Sequence, residues 1–161
     1  MRLFWILCLG LISGCGFQLR GAVELPPEKR LIALQGVPSS HPFANELRAA
    51  LALSGGEVVA DPKVASSVLF ISDLKEDRRV LSLDEHGKAV EFELIFRLRF
   101  AVQAPDGKLL IPPQPIAVHR VYLNPQLDVI GKAVEEGVIY EEMRREAAYA
   151  VLRRLRKVLE G

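Results

Sequence analysis

A chain of 161 residues, half of them hydrophobic and a quarter charged, is sized for one domain with its own core and is short for two. With 21 basic against 20 acidic residues the formal charge is +1, so composition makes no electrostatic case for nucleic acid. The same balance excludes a disordered or low-complexity chain, and no internal repeat is present.

The N-terminus has the three-part form of a secretory signal. Arg2 supplies the positive end, an apolar run from Leu3 to Ile12 follows, and small Ser13 and Gly14 lead into Cys15. Ten residues of helix reach about 15 Å, half the hydrocarbon core, which is too short for a span. Cys8 leaves with the run if cleavage falls before Cys15, so the mature chain keeps a lone thiol in an oxidising compartment. Ile12-Ser13-Gly14-Cys15 resembles the bacterial lipobox, whose cysteine sulfur receives diacylglycerol and whose new N-terminus takes a further acyl chain such as palmitate. That resemblance implies a signal peptide over 1–14, lipidation at Cys15, and sorting to the outer membrane because Gly16, not aspartate, follows. Acyl chains anchor a protein at about 0.8 kcal/mol per buried methylene, with no spanning segment.

Residues 15–29, with Pro26-Pro27, are expected to be a lipidated, extended tether, and 30–161 a single globular domain. Arg30 to Gln35 reads as a first strand closed by Gly36 and Pro38. Ser39 or Ser40 caps a helix begun by Pro42, with Phe43, Leu47, Ala50 and Leu51 on one face and Gly55-Gly56 as its stop. Val68 to Leu74 is a second strand that can continue through Val80–Leu83. Asp84 to Lys88 has the composition of a hairpin turn, Gly87 being free to take positive φ. The next strand alternates cleanly: Phe92, Leu94, Phe96, Leu98, Phe100 and Val102 share one face, while Glu93, Arg97, Arg99 and Gln103 share the other. A turn at Pro105-Asp106-Gly107 precedes a strand from Ile116 to Tyr122, with Pro112, Pro113 and Pro115 confined to its approach.

Val134 to Leu159 reads as a long amphipathic helix, its stripe made by Ile139, Met143, Ala147, Ala150, Val151, Leu155, Val158 and Leu159. The order β-α-β-β-β-α predicts an α+β sandwich: a four-stranded, mostly antiparallel or mixed sheet with two helices on one face.

Chemistry is sparse along this chain. His41, His86 and His119 fall in a helix start, a turn and a strand, and none has a second ligand at i+3 or i+4, so no metal site is expected. No G-x-S-x-G, G-x-G-x-x-G or P-loop occurs, and neither a catalytic residue nor a cofactor is called for. Glu135, Glu136, Glu141 and Glu142 read as a solvated helix face. What remains are two exposed segments: the Asp84–Lys88 turn with His86 and Lys88, and Tyr122–Asp128 followed by Lys132. Read alone, both are loops with solvated charges.

Cys15-Gly16-Phe17-Gln18-Leu19-Arg20, directly after the apolar run, resembles the mature N-terminus of the LptE family of lipopolysaccharide-assembly lipoproteins. Tyr122-Leu123-Asn124-Pro125-Gln126, then Glu141-Glu142-Met143 in an alanine-bearing helix with a basic end, is similar to that family's C-terminal half. The resemblance implies a non-enzymatic outer-membrane lipoprotein that plugs the lumen of the LptD β-barrel as a 1:1 heterodimer, assists its assembly and binds lipopolysaccharide. It also implies lipopolysaccharide contacts at the hairpin tip, where only His86 and Lys88 serve, and at Lys132 after the N-P-Q turn. Asp84 and Glu85 depart from the family's basic tip. The competing expectation is another assembly or pilot lipoprotein, serving a secretin or similar pore.

Overall fold

A computed structural model describes residues 24–123 and 129–159, with the backbone alone for 129–133. Cys15 and the Asn124–Asp128 turn lie outside the described residues. The elements are β1 (Leu31–Gln35), α1 (Pro42–Leu53), β2 (Glu57–Val59), β3 (Ser67–Leu83), β4 (Ala89–Gln103), β5 (Leu109–Leu123) and α2 (Val129–Leu159). One five-stranded sheet runs in the order β2-β1-β3-β4-β5. β1 lies parallel to both β2 and β3, whereas β3, β4 and β5 form an antiparallel meander. The expected α+β fold is present, with five strands instead of four.

The additional strand, β2, has three residues and no alternating apolar pattern to betray it. It exists because α1 returns the chain beside β1, where Glu57 donates its N–H to the Arg30 carbonyl (2.8 Å). β5 differs from expectation too. It begins at Leu109, so Pro112, Pro113 and Pro115 lie inside a strand and not before it. Only β4 pairs with β5, so the missing N–H groups fall on a free edge or at the register shift near Val102, where no ladder bond is lost.

α1 starts at Pro42, but its cap is His41 and neither Ser39 nor Ser40: His41 Nδ1 accepts from the Phe43 N–H at 3.1 Å. Proline at the first helical position forces the preceding residue into extended backbone, which is the cap conformation, so the role falls on His41. α2 begins at Val129, five residues before the expected start.

β3 is one continuous strand whose register shifts between Ser72 and Lys75, where Asp73 takes φ 52°. β1 pairs with β3 only as far as Phe70. Beyond that point the sheet is three strands wide and α2 covers most of it, with α1 reaching as far as Phe96. The apolar row of β4 is buried under these helices: Leu94, Phe96, Leu98, Phe100 and Val102 are all at most 2% exposed. Phe96 meets Phe43 of α1 at 5.4 Å between ring centroids, and Met143, Ala147, Val151 and Leu155 close the layer from α2. A smaller cluster, Ala33, Ala65 and Val68, seals the opposite sheet face beneath the segment after β2.

Residues 24–29, drawn above as the end of the tether, pack onto the domain. Leu25 is buried, its N–H donates to the Ser54 carbonyl (2.9 Å), and Pro27–Lys29 form a single 3₁₀ turn.

Gly36 and Gly87 both have positive φ, 82° and 78°. A Cβ on Gly36 would lie 2.0 Å from the Ile71 carbonyl oxygen, whereas one on Gly87 would meet nothing within 4 Å. Chemical denaturation should therefore show Gly87→Ala losing about 1–2 kcal/mol from backbone strain alone. Gly36→Ala should lose clearly more, because backbone must move as well.

Candidate functional site

The long meander has two ends. The root is where residues 24–30 join the sheet, beside the start of β3, the β4–β5 turn and the end of α2. The tip is the β3–β4 hairpin.

At the tip, the Asp84 N–H donates to the Lys88 carbonyl (2.8 Å), and the Gly87 N–H donates to Asp84 (3.0 Å). Asp84 Oδ1 accepts from the backbone N–H groups of His86 (2.9 Å) and Lys88 (2.8 Å). The acidic residue that departs from the family pattern thus builds the turn and holds both basic residues on one exposed loop. Glu85 is also exposed, its carboxylate 3.9 Å from His86 Nδ1.

Register brings the second predicted segment to the same place. Leu83 pairs with Ala89, and two residues further along β4 Glu91 pairs with Leu123, the last residue of β5. The β5–α2 connection therefore leaves the sheet beside the hairpin, and Lys132 lies in the first turn of α2. His86, Lys88 and the backbone of Lys132 share the tip. Cys15 is not among the described residues.

Glu136, which sequence reading left on a solvated face, helps fix α2 to the sheet together with Tyr140 and Arg144. Glu136 Oε2 accepts from Tyr122 Oη (2.8 Å) and Arg78 Nη1 (3.1 Å), and the Arg78 guanidinium lies 4.7 Å from the Phe92 ring centroid. Arg78 is held above its ordinary pKa by its hydrogen bond to Glu136, and Tyr122 is raised by burial and then by Glu136. Tyr140 donates to the Asp77 carbonyl (2.9 Å), and burial pushes its hydroxyl up to about 12. Arg144 grips Glu76 through Nε (2.7 Å) and Nη2 (3.2 Å). Residues 136, 140 and 144 stand at i, i+4, i+8, a polar row beside the apolar stripe. That spacing was a readable signal for Glu136.

The sheet face turned away from the helices carries charge in its middle. Glu93 bonds Arg79 with one oxygen and His119 Nδ1 (2.9 Å) with the other, which places His119 in an ion-pair cluster. Arg97 pairs with Asp77 at 2.9 Å. No cluster of three His, Cys, Asp or Glu able to hold a metal occurs among the described residues. No helix among them is long and apolar enough to cross a membrane.

This architecture, a mixed sheet layered on one side by two helices, is that of a group of small bacterial lipoprotein domains. The chain is similar to the solution structure of an uncharacterized lipoprotein B from Nitrosomonas europaea, with TM-score 0.72 and 27% identity over 87% of this chain and 90% of that one. It is also similar to the rare lipoprotein B from Shewanella oneidensis, with TM-score 0.67 and 28% identity over 78% and 92%. In sequence it is 31% identical over 143 residues to the LPS-assembly lipoprotein LptE of Photorhabdus laumondii, covering 89% of this chain and 78% of the relative. The LptE lipopolysaccharide-assembly family model matches residues 30–155, and the chain belongs to that family.

Glu93 gives this domain a readable pH response. Its carboxyl lies below the ordinary 4.5, first through the hydrogen bond from His119 and then, against desolvation, through Arg79. A lowered carboxylate stabilises the fold above the ordinary value, and that stabilisation is lost as pH falls through the lowered one. Glu93→Gln should be less stable than the parent at neutral pH, with the gap in denaturation midpoints closing as pH drops below about 4.5.

Proposed function

We propose that this chain is a lipid-anchored outer-membrane protein that sits in the lumen of the LptD β-barrel, assists its assembly and helps insert lipopolysaccharide into the outer leaflet. Family membership supports the assembly role, and favours this barrel over a secretin. The anchor is diacylglycerol on Cys15 after removal of residues 1–14. A barrel interior is polar while its outside is apolar. The waist of this domain suits such a wall, since Arg97–Asp77, Arg120–Glu146 and Arg144–Glu76 ring it with ionic and hydrogen-bonding groups.

Lipopolysaccharide binds at the tip, through Lys132, Lys88 and His86. The observation that carries this assignment is the convergence of the hairpin and the start of α2 at one end of the sheet. Exposed apolar side chains stand at the same end: Val80, Leu83, Leu123, Val134 and Val138. A ligand with phosphates beside acyl chains needs both kinds of surface, guanidinium or ammonium for the one and apolar area for the other.

Affinity purification from detergent-solubilised outer membranes should recover one large barrel protein in equal amount with the chain. Recovery of a secretin, or of the chain alone, would reject the assembly role. Lys132→Glu should weaken lipopolysaccharide binding by about tenfold or more, the worth of a lost charge-assisted contact, while barrel recovery is unchanged. Lys88→Glu should act in the same direction. Unchanged lipopolysaccharide affinity in both variants would remove the site from the tip.

A further inference from the structure

Exposed large apolar side chains on this domain are concentrated at its two ends. One set surrounds the tip. The other is at the root: Leu31, Leu53, Val64, Leu109 and Val158, with Leu53 73%, Val64 58% and Leu109 49% exposed. These five come from the start of β1, the end of α1, the segment after β2, the start of β5 and the end of α2. Five separate elements thus bring apolar side chains to one end.

Cations stand among them. α2 ends in Arg153, Arg154, Arg156 and Lys157, and Lys29, Lys63 and Lys108 come from the neighbouring turns. Glu28, Glu57, Asp61 and Asp106 share this end. Two of these acids, both exposed, accept hydrogen bonds within their own turns: Asp61 Oδ1 from the Lys63 N–H (2.9 Å), and Asp106 Oδ1 from the Lys108 N–H (3.0 Å). Among the described residues no carboxylate forms an ion pair with Arg153, Lys157, Lys63 or Lys108.

Between the last turns of α2 and the start of β5 is a depression of about 370 Å³, lined by Leu110, Ile111, Pro112, Gln114, Arg154 and Lys157, with Val158 at its rim. Arg154 is already oriented there, donating to the Pro115 carbonyl (3.1 Å) and to Gln114 Oε1 (3.3 Å). An apolar floor with a guanidinium and an ammonium at its edge matches one chemistry well: a phosphate joined to hydrocarbon.

The occupant follows from charge and from chain length. Eight residues separate Cys15 from Glu24, and the nine Cα–Cα steps between them reach at most about 30 Å. An acylated Cys15 keeps the root, not the tip, near the leaflet. We propose that, before the chain enters the barrel, the root end is a membrane-seating surface that takes the headgroups of anionic phospholipids, with a phosphate at Arg154 and Lys157 and with Leu53, Leu109 and Val158 dipping into the interface. It rests on the lipid-anchor part of the function proposed above. A soluble anion would use the cations and leave the five apolar side chains idle; a lipid surface uses both.

The test uses the mature chain from residue 15 carrying Cys15→Ser, so that acyl chains contribute nothing. Sedimentation with phosphatidylethanolamine–phosphatidylglycerol vesicles should show binding that weakens with added salt, and phosphatidylcholine vesicles should show none. Arg153→Gln with Lys157→Gln should lower binding about tenfold or more, from the loss of two cations at the surface. Lys75→Gln with Arg99→Gln, on the open sheet face, should leave it unchanged. Equal binding to phosphatidylcholine, or equal loss in both double variants, would overturn the proposal. Barrel recovery by the lipidated native chain is scored separately: its failure with vesicle binding intact removes the assembly role alone, and the converse removes the seating surface alone.

Discussion

Burial of the apolar row of β4 beneath the two helices is the interaction on which the other features depend. That row runs the length of a 15-residue strand, so the layer above it must be long as well. α2, at 31 residues, supplies most of it, with about 45 Å of helix from a rise of 1.5 Å per residue. Fully buried aromatic and aliphatic side chains contribute about 1.5–3 kcal/mol each in transfer free energy. Phe96, Phe100, Leu94 and Leu98 all lie in that one row, on the middle strand of the β3-β4-β5 meander. β3 and β5 flank it and are held to α2 by side chains, Glu76, Arg78, Arg120 and Tyr122, that reach up to the helix.

Length has a functional consequence. Fifteen residues of strand extend about 50 Å, which separates the two ends of the domain by more than a bilayer's hydrocarbon thickness. The root receives the N-terminal segment and is basic and apolar. The tip carries His86, Lys88 and the start of α2, again with apolar side chains. Between them the surface is charged and paired. One elongated body therefore presents two amphipathic ends and a polar waist, which is the distribution expected of a protein tied to a membrane at one end and working on an amphiphile at the other.

Much of this was legible along the chain, for definite reasons. The period of two in β4 and the period of 3.6 in α2 are long enough to be unambiguous, and Gly87 with Asp84 marked the hairpin. β2 escaped because three half-exposed residues carry no period. The prolines of β5 misled because their meaning depends on whether the strand has one neighbour or two, which sequence does not state. Ser39 and Ser40 have better capping chemistry than His41, yet Pro42 settled the position. Glu136 was taken for a surface charge because its partners, Arg78 and Tyr122, lie 58 and 14 residues away.

By itself the sequence determined the amphipathic pattern, and hence the class of fold, the number of helices and the existence of a hairpin turn bearing His86 and Lys88. It also carried the lipobox-like Cys15 and the family resemblance, because these are local features read within a few residues. The tertiary structure decided what pairing alone can decide: a β-α-β unit closed by a three-residue parallel strand, an edge that tolerates three prolines, and a tether whose last residues belong to the core. It decided, too, that the hairpin and the start of α2 meet at one end while the basic end of α2 and residues 24–30 lie at the other. Register in an antiparallel sheet sets those meetings, and register comes from burying one whole face of β4 at once, a constraint that no single segment contains.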